Sequence, residues 1–205
     1  MTSLFLYDDA RARAFEPFAS TRPVSEMTAG AALIRNRWES ALPSSNVCFI
    51  AGPRHEAFDE SGARAAAGTV PAGSIVALSR CVPAAPADPA MAARQMAARQ
   101  MAARQAATCS IWRCGTQLAA VRIKEPIEVA AFADGSLTLE ELSTGTGAIG
   151  AVTGWWLEEV WDFIRLLPDQ LAADLAAPSA AVGQRPADST ILGDQVRPSW
   201  TAPSA

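Results

Sequence analysis

The stretch "LFLYDDARARAFEPFASTRPVSEMTAGAALIRNRWE", Leu4 to Glu39, decides how the chain is read. Its apolar opening, with Ser3, predicts a short buried strand over Ser3 to Tyr7. Asp8 and Asp9 stand at the carboxyl end of that strand, and Arg11, Arg13 and Arg22 follow. A helix is expected from about Val24 to Leu42, because Leu33 or Ile34, Trp38 and Leu42 recur at helical spacing. Arg35, Asn36 and Glu39 fall on its other faces, Pro23 suits its first turn and Pro43 marks its end. A loop between a first strand and a first helix is where a phosphate is commonly gripped, through glycine-borne N–H groups. Here no glycine occurs before Gly30. Arginines can clamp phosphate bidentately in place of such N–H groups, and strand-end carboxylates can hold a metal. The competing reading is that these charges solvate a loop and cap a helix.

Further along, "NVCFI" (Asn46 to Ile50) and "GSIVALSR" (Gly73 to Arg80) predict two more strands, the first closed by Gly52 and Pro53. From Cys109 to Phe132, "CSIWRCGTQLAAVRI" and "IEVAAF" again read as strands. An amphipathic helix is expected to begin near Trp155. Trp156, Val160, Phe163, Ile164 and Leu167 lie on one side of it, with Glu158, Glu159, Asp162 and Arg165 on the other. Its polar face is mainly acidic, which favours core packing over a membrane surface. Apolar runs separated by helices and loops indicate an α/β layered domain.

Two segments interrupt this pattern. "MAARQMAARQMAARQ", Met91 to Gln105, is three identical pentads. Each step of five turns a helix about 140° beyond a full circle, so the methionines form no stripe. A tandem duplication in an exposed segment is the reading that follows. After Ala176 the composition becomes that of a linker.

Composition narrows the function. The 205 residues allow one sizeable core, and the net charge of −4 with scattered basic residues argues against nucleic acid as the main partner. No apolar run approaches the ~20 residues of a membrane span, and the N-terminus has no secretory pattern, so the expected address is cytoplasmic. Cys48, Cys81, Cys109 and Cys114 sit among apolar residues and read as buried thiols. His55 is the single histidine, which sets aside Ser-His-Asp chemistry and multi-histidine metal sites. "GTGAIG" (Gly145 to Gly150) matches a dinucleotide fingerprint. Beyond the expected helix, however, lies only linker, so it reads as a flexible loop.

Leu4 to Glu39, with its "PF…TRP…", a glycine and "IRNRWE", resembles the N-terminal region of sugar nucleotidyltransferases of the bifunctional N-acetylglucosamine-1-phosphate uridyltransferase/acetyltransferase type. "GWWLEEVWDFIRLLPDQLAADL", Gly154 to Leu175, resembles the helical end of the same domain. The resemblance implies a three-layer, Rossmann-like nucleotide-diphospho-sugar transferase fold over residues 1–176, with the pentads at 91–105 as an insertion. The implied substrates are a nucleoside triphosphate and a sugar-1-phosphate, with Mg2+ as cofactor. The product is a nucleotide sugar for envelope or surface-polysaccharide precursors. Thr21-Arg22-Pro23 stands where the family carries a proline–lysine segment, so Arg22 is the expected catalytic phosphate contact. Arg11 and Arg13 are expected on phosphate and Asp8 and Asp9 on the metal, with Asp134 of "ADG" as a further candidate or an ordinary turn residue. The family's glycine-rich half is replaced by "DDARARAFEPF". That replacement keeps a second function in view: a catalytically silent nucleotide-sugar-like domain that binds a ligand or partner. "ILGDQV", Ile191 to Val196, fits one turn of a left-handed β-helix, so residues 177–205 are expected to be a linker and a truncated hexapeptide-repeat start. Disorder is expected from about Pro178, in a piece of a longer ancestral protein. Association as a homo-oligomer is left open.

Overall fold

The first strand, β1 (Ser3–Tyr7), is the hub of the molecule. The computed structural model describes residues 2–42, 44, 46–55, 57–84, 109–143 and 147–176. The pentads and the expected β-helix start lie outside the described residues.

In chain order, β1 is followed by α1 (Ala10–Arg13), β2 (Thr28–Ala29), β3 (Ala32–Leu33) and α2 (Ile34–Ala41). Next come β4 (Asn46–Ile50), β5 (Thr69–Val70), β6 (Ile75–Leu78), β7 (Cys81–Pro83), β8 (Cys109–Cys114) and β9 (Gln117–Arg122). The chain continues through β10 (Ile127–Glu128), α3 (Leu139–Leu142), β11 (Ala148–Ala151) and β12 (Gly154–Trp156) to α4 (Asp162–Arg165) and α5 (Leu167–Ala176).

Six strands form the central sheet in the order β11-β8-β9-β6-β1-β4. β1 pairs in parallel with β4 on one side and β6 on the other, while β9 runs antiparallel to both β6 and β8. β11 returns parallel to β8, so β9 alone opposes the other five. This is a mixed α/β domain with a mostly parallel sheet, consistent with a Rossmann-like fold.

The near-continuous apolar runs "LFLY" and "IVAL" follow from burial on both faces of that sheet. Leu4, Leu6, Ile75 and Ala77 point into one cluster, capped by Ile34 and Trp38 of α2 and by Phe163. Phe5, Tyr7, Val76 and Leu78 point into the other, capped by Phe132 and by Leu139 of α3. Trp38 is fully buried and its indole N–H donates to the Cys81 carbonyl at 2.9 Å, fixing α2 on β7.

Four expectations need correcting. The helix of Val24 to Leu42 is only its second half. Val24–Glu26 is a 3-10 turn and β2–β3 a hairpin, before α2 starts at Ile34. Gly30 makes the hairpin turn at φ +64°, where a Cβ would collide with the side chains of Arg37 and Asp174. Next, Trp155 and Trp156 do not start a helix; they belong to β12, which pairs antiparallel with β7. Gly154 admits that pairing, since a Cβ there would meet the Val82 and Pro83 backbone. Val160 and Phe163 do pack inward, but Ile164 is 65% exposed. Third, "IEVAAF" gives a two-residue strand and then a 3-10 turn over Val129–Phe132. The described part of "GTGAIG" runs into the edge strand β11 rather than into a helix.

Candidate active site

β1 connects to β4 on one side, whereas the chain leaving β6 continues on the other, toward β9. Strand order therefore reverses between β1 and β6, and α/β sheets bind ligands outside the carboxyl ends of the strands at such a reversal. A cleft of ≈ 630 Å3 opens there. Asp9 and Arg11 line it after β1, Arg80 after β6, Arg113 and Gln117 on the β8–β9 hairpin, and the Gly135 to Glu140 loop closes the far side. Because β9 is antiparallel, its first residue, Gln117, reaches the same edge as the carboxyl ends of its neighbours.

Asp9 caps α1 by accepting from the Ala12 N–H at 2.9 Å and pairs through its other oxygen with Arg80 Nε at 2.8 Å. Arg80 also lies over the Trp156 ring, 4.9 Å from its centroid, and reaches Glu158 at 3.4 Å. Arg11, on the exposed side of α1, pairs with the same Glu158. Arg113 donates to the Thr116 carbonyl at 2.6 Å, inside its own hairpin.

Asp8 takes no part in the cleft surface. It is 1% exposed, with the Ser79 hydroxyl donating to Oδ1 and the Val24 N–H to Oδ2 at 3.0 Å. Burial pushes its carboxyl up to about 6, against the lowering effect of those hydrogen bonds and of Arg13. Arg13 is likewise engaged inside the fold: it donates to the carbonyls of Asp8 at 2.7 Å, Phe132 at 2.7 Å and Ala133. Its side chain packs close to Gly135, which lines the first cleft, and to Gly52, which lines a second one of ≈ 510 Å3 at the carboxyl end of β4, and it lines neither itself. Ile50, Gly52, His55, Gly68 and Ala133 line this second cleft, and a Cβ on Gly52 would sit 3.6 Å from Arg13 Nη1. His55 is buried at 6% exposure and its ring nitrogens have no aligned hydrogen-bond partner. Burial, the largest influence on it, lowers its pKa and disfavours the charged ring.

Arg22 lies elsewhere. It donates to Glu60 at 2.8 Å and to the Glu26 carbonyl at 3.3 Å, beside a shallow groove of ≈ 260 Å3 formed with Phe18, Met27 and Phe163. Asp134 accepts from the N–H and hydroxyl of Ser136 at 2.9 and 2.8 Å, closing its own turn, and these bonds hold its pKa low. Of the expected site residues, the fold thus brings Asp9 and Arg11 to the cleft, while Arg13 is spent on backbone carbonyls behind it. Asp8 sits beneath it, and Arg22 and Asp134 point to other contacts.

A family model described as sugar nucleotidyl transferase matches residues 4–180. The chain belongs to that family. Searches of curated proteins and of solved structures gave no match. Among the described residues no helix is long and apolar enough to cross a membrane.

In this sugar nucleotidyl transferase family member, the two stretches that carry the resemblance are joined directly. Arg37 of "IRNRWE" donates to Asp174 of "AADL", and also to the carbonyls of Ala29 at 3.0 Å and Pro83 at 3.2 Å. Glu26, 2% exposed, accepts from Arg35 Nε at 3.0 and 3.1 Å. Sequence reasoning missed Arg80, Arg113, Gln117 and Glu158. For Arg80 the signal was present: it follows "IVALS" at a strand's carboxyl end, the position that singled out Asp8 and Asp9 after β1. Both oxygens of Asp8 and of Asp9 accept hydrogen bonds within the fold, and no cluster of three ligating side chains exists among the described residues. Cys48, Cys81 and Cys114 are buried free thiols.

Proposed function

We propose that the protein is a sugar-1-phosphate nucleotidyltransferase whose triphosphate lies in the cleft between β1 and β6. One observation carries this reading: Arg11, Arg80 and Arg113 converge from three elements on the crevice where the strand order reverses. Guanidinium groups match phosphoryl oxygens in charge and geometry, so they supply what a glycine-rich loop would otherwise give. An oxygen of the sugar-1-phosphate attacks the α-phosphorus, the bond from that phosphorus to the β-phosphate bridge breaks, and pyrophosphate leaves with the electron pair. The protein's share is to align attacker and leaving group and to meet the charge that builds on the phosphoryl oxygens. Arg80 is suited to this role, because Asp9 and Trp156 fix its orientation before any ligand arrives. The second cleft lies about two strand spacings away, ~10 Å. Its mostly apolar lining, with Phe49, Ile50 and Val129, suits the nucleoside portion. Magnesium would arrive bound to the polyphosphate rather than in a protein cage.

The resemblance to the uridyltransferase/acetyltransferase type makes uridine triphosphate with an N-acetylhexosamine-1-phosphate the first pair to assay for pyrophosphate release. Turnover with any nucleoside triphosphate, lost on Arg80→Ala, supports the reading. A second reading, a domain that binds without turnover, is favoured by the pairing of Arg11 and Arg80 with carboxylates. Nucleotide binding without pyrophosphate release from any sugar-1-phosphate would decide for it.

A further inference from the structure

Two of the three cleft arginines, Arg11 and Arg80, converge on a single carboxylate. Glu158 accepts from Arg11 Nη1, from Arg80 Nη1 at 3.4 Å and from Gln117 Nε2 at 3.2 Å. These three donors come from α1, from the end of β6 and from β9, elements distant in sequence that the fold brings together at the cleft. An anion that gathers two guanidinium groups and an amide is placed as a phosphoryl group would be.

The backbone beneath Glu158 is held on both sides. The N–H groups of Glu158 and Glu159 donate to Asp162 Oδ2 at 2.8 and 2.9 Å, and Asp162 is 4% exposed. The Leu157 N–H donates to the Arg80 carbonyl at 2.9 Å, so the segment bearing Glu158 is tied to the residue that bears the central arginine. A carboxylate on a backbone so fixed is not a chance surface contact. Nor does it add much to the fold, since Arg11 and Glu158 keep 58% and 35% of their side-chain surface in water and pairs of that kind contribute little.

We infer that Glu158 is a resident counter-ion that a phosphate-bearing ligand must displace, and that it sets the affinity of the cleft for anions. This inference rests on the phosphate-cleft reading above. Arg80 stays in place, held by Asp9 and Trp156, while Arg11 and Gln117 exchange the carboxylate for phosphoryl oxygens. The displaced carboxylate remains at the rim and opposes the incoming charge, so anion binding is weaker than three arginines alone would give. The device keeps the cleft charge-balanced at rest and makes it selective for ligands whose oxygens satisfy all the released donors at once.

The test is calorimetric titration of inorganic pyrophosphate, in buffer free of divalent cations, onto the full chain. Wild type is compared with Glu158→Gln, which keeps shape and loses charge, and with Glu158→Ala. Glu159→Gln serves as a control, because it makes the same change in net charge at a residue facing Arg165 instead of the cleft. Both Glu158 variants are expected to bind pyrophosphate on the order of tenfold tighter than wild type. Glu159→Gln should match wild type, and adding Arg11→Ala to Glu158→Gln should remove the gain. Equal or weaker binding by Glu158→Gln and Glu158→Ala, with measurable binding to wild type, overturns the counter-ion role and leaves the transferase reading standing. No binding to wild type or to any variant overturns the phosphate-cleft reading, and the counter-ion role with it. Cooperative melting of each variant confirms that a folded protein was titrated, and either Glu158 variant alone suffices if the other does not fold.

Discussion

Asp8 and Asp9 are neighbours in sequence at the end of one strand, yet they serve opposite sides of the same boundary. Asp8 points down into a closed knot with Ser79 and the Val24 N–H, and is sealed from solvent. Asp9 points up into the cleft, capping α1 and orienting Arg80. The same division runs through the arginines. Arg13 and Arg37 are engaged by backbone carbonyls, and Arg37 by Asp174 as well, whereas Arg11 and Arg80 face the cleft. The floor of this molecule is built from satisfied charges that hold the fold, and its rim from charges that a ligand can recruit. Residue type and spacing do not separate the two groups; burial and hydrogen-bond partners do.

Variants of the floor should act on stability and variants of the rim on binding. The largest effect is expected at the joint between the two ends of the domain. Asp174→Ala leaves the Arg37 guanidinium buried without its carboxylate and should cost about 3–5 kcal/mol in chemical denaturation. A loss under 1 kcal/mol would show that this pair does not join the ends. On the rim, Arg80→Ala should weaken nucleoside triphosphate binding about a hundredfold, because it removes a fixed charged donor. Its melting temperature should change far less than that of Asp174→Ala.

Asp8→Asn sharpens the comparison through pH. With its pKa raised to about 6 in the fold, Asp8 contributes fully to stability below its ordinary value of 3.8. That contribution is lost as pH climbs through about 6, where the buried carboxyl ionises. The asparagine can accept from the Val24 N–H and donate to Ser79 Oγ, whose hydroxyl then donates to the Tyr7 carbonyl, already 3.1 Å away. Asp8→Asn should therefore gain about 2 kcal/mol relative to wild type between pH 4 and pH 7. Denaturant midpoints across that range measure it, and parallel pH profiles would refute the knot. The smallest effect is expected at Arg22, where Arg22→Ala removes an exposed pair with Glu60 and should shift stability by less than about 0.5 kcal/mol. Its affinity for nucleotide should stay within about twofold of wild type, measured beside Arg80→Ala.

Much of the sheet was legible because strands buried on both faces read as apolar runs: Ser3–Tyr7 and Asn46–Ile50 appear with the bounds the sequence suggests. Ile34, Trp38 and Leu42 are buried as their spacing requires. The hairpin before α2 was hidden because Thr28, Ala29 and Ala32 carry little pattern, and Gly30 acts through a contact with Asp174, 144 positions away. β12 was hidden because Trp155 and Trp156 fit either period, and only pairing with β7 selects the strand. The site was half legible. Asp9, expected at a strand end, and Arg11, expected on phosphate, both line the cleft, but Glu158 sat on the polar side of an expected helix, and nothing local relates it to Arg80 or Gln117. Convergence of that kind is a property of topology.

The most direct test of the phosphate cleft is thermal unfolding of wild type, Arg80→Ala and Arg22→Ala against nucleoside triphosphates with magnesium. A ligand at about 100 times its dissociation constant should stabilise wild type by about 2.7 kcal/mol. The account predicts a base-selective upward shift that Arg22→Ala keeps and Arg80→Ala loses. A shift that survives Arg80→Ala and disappears in Arg22→Ala would move the phosphate site to the groove beside Phe18 and contradict the account.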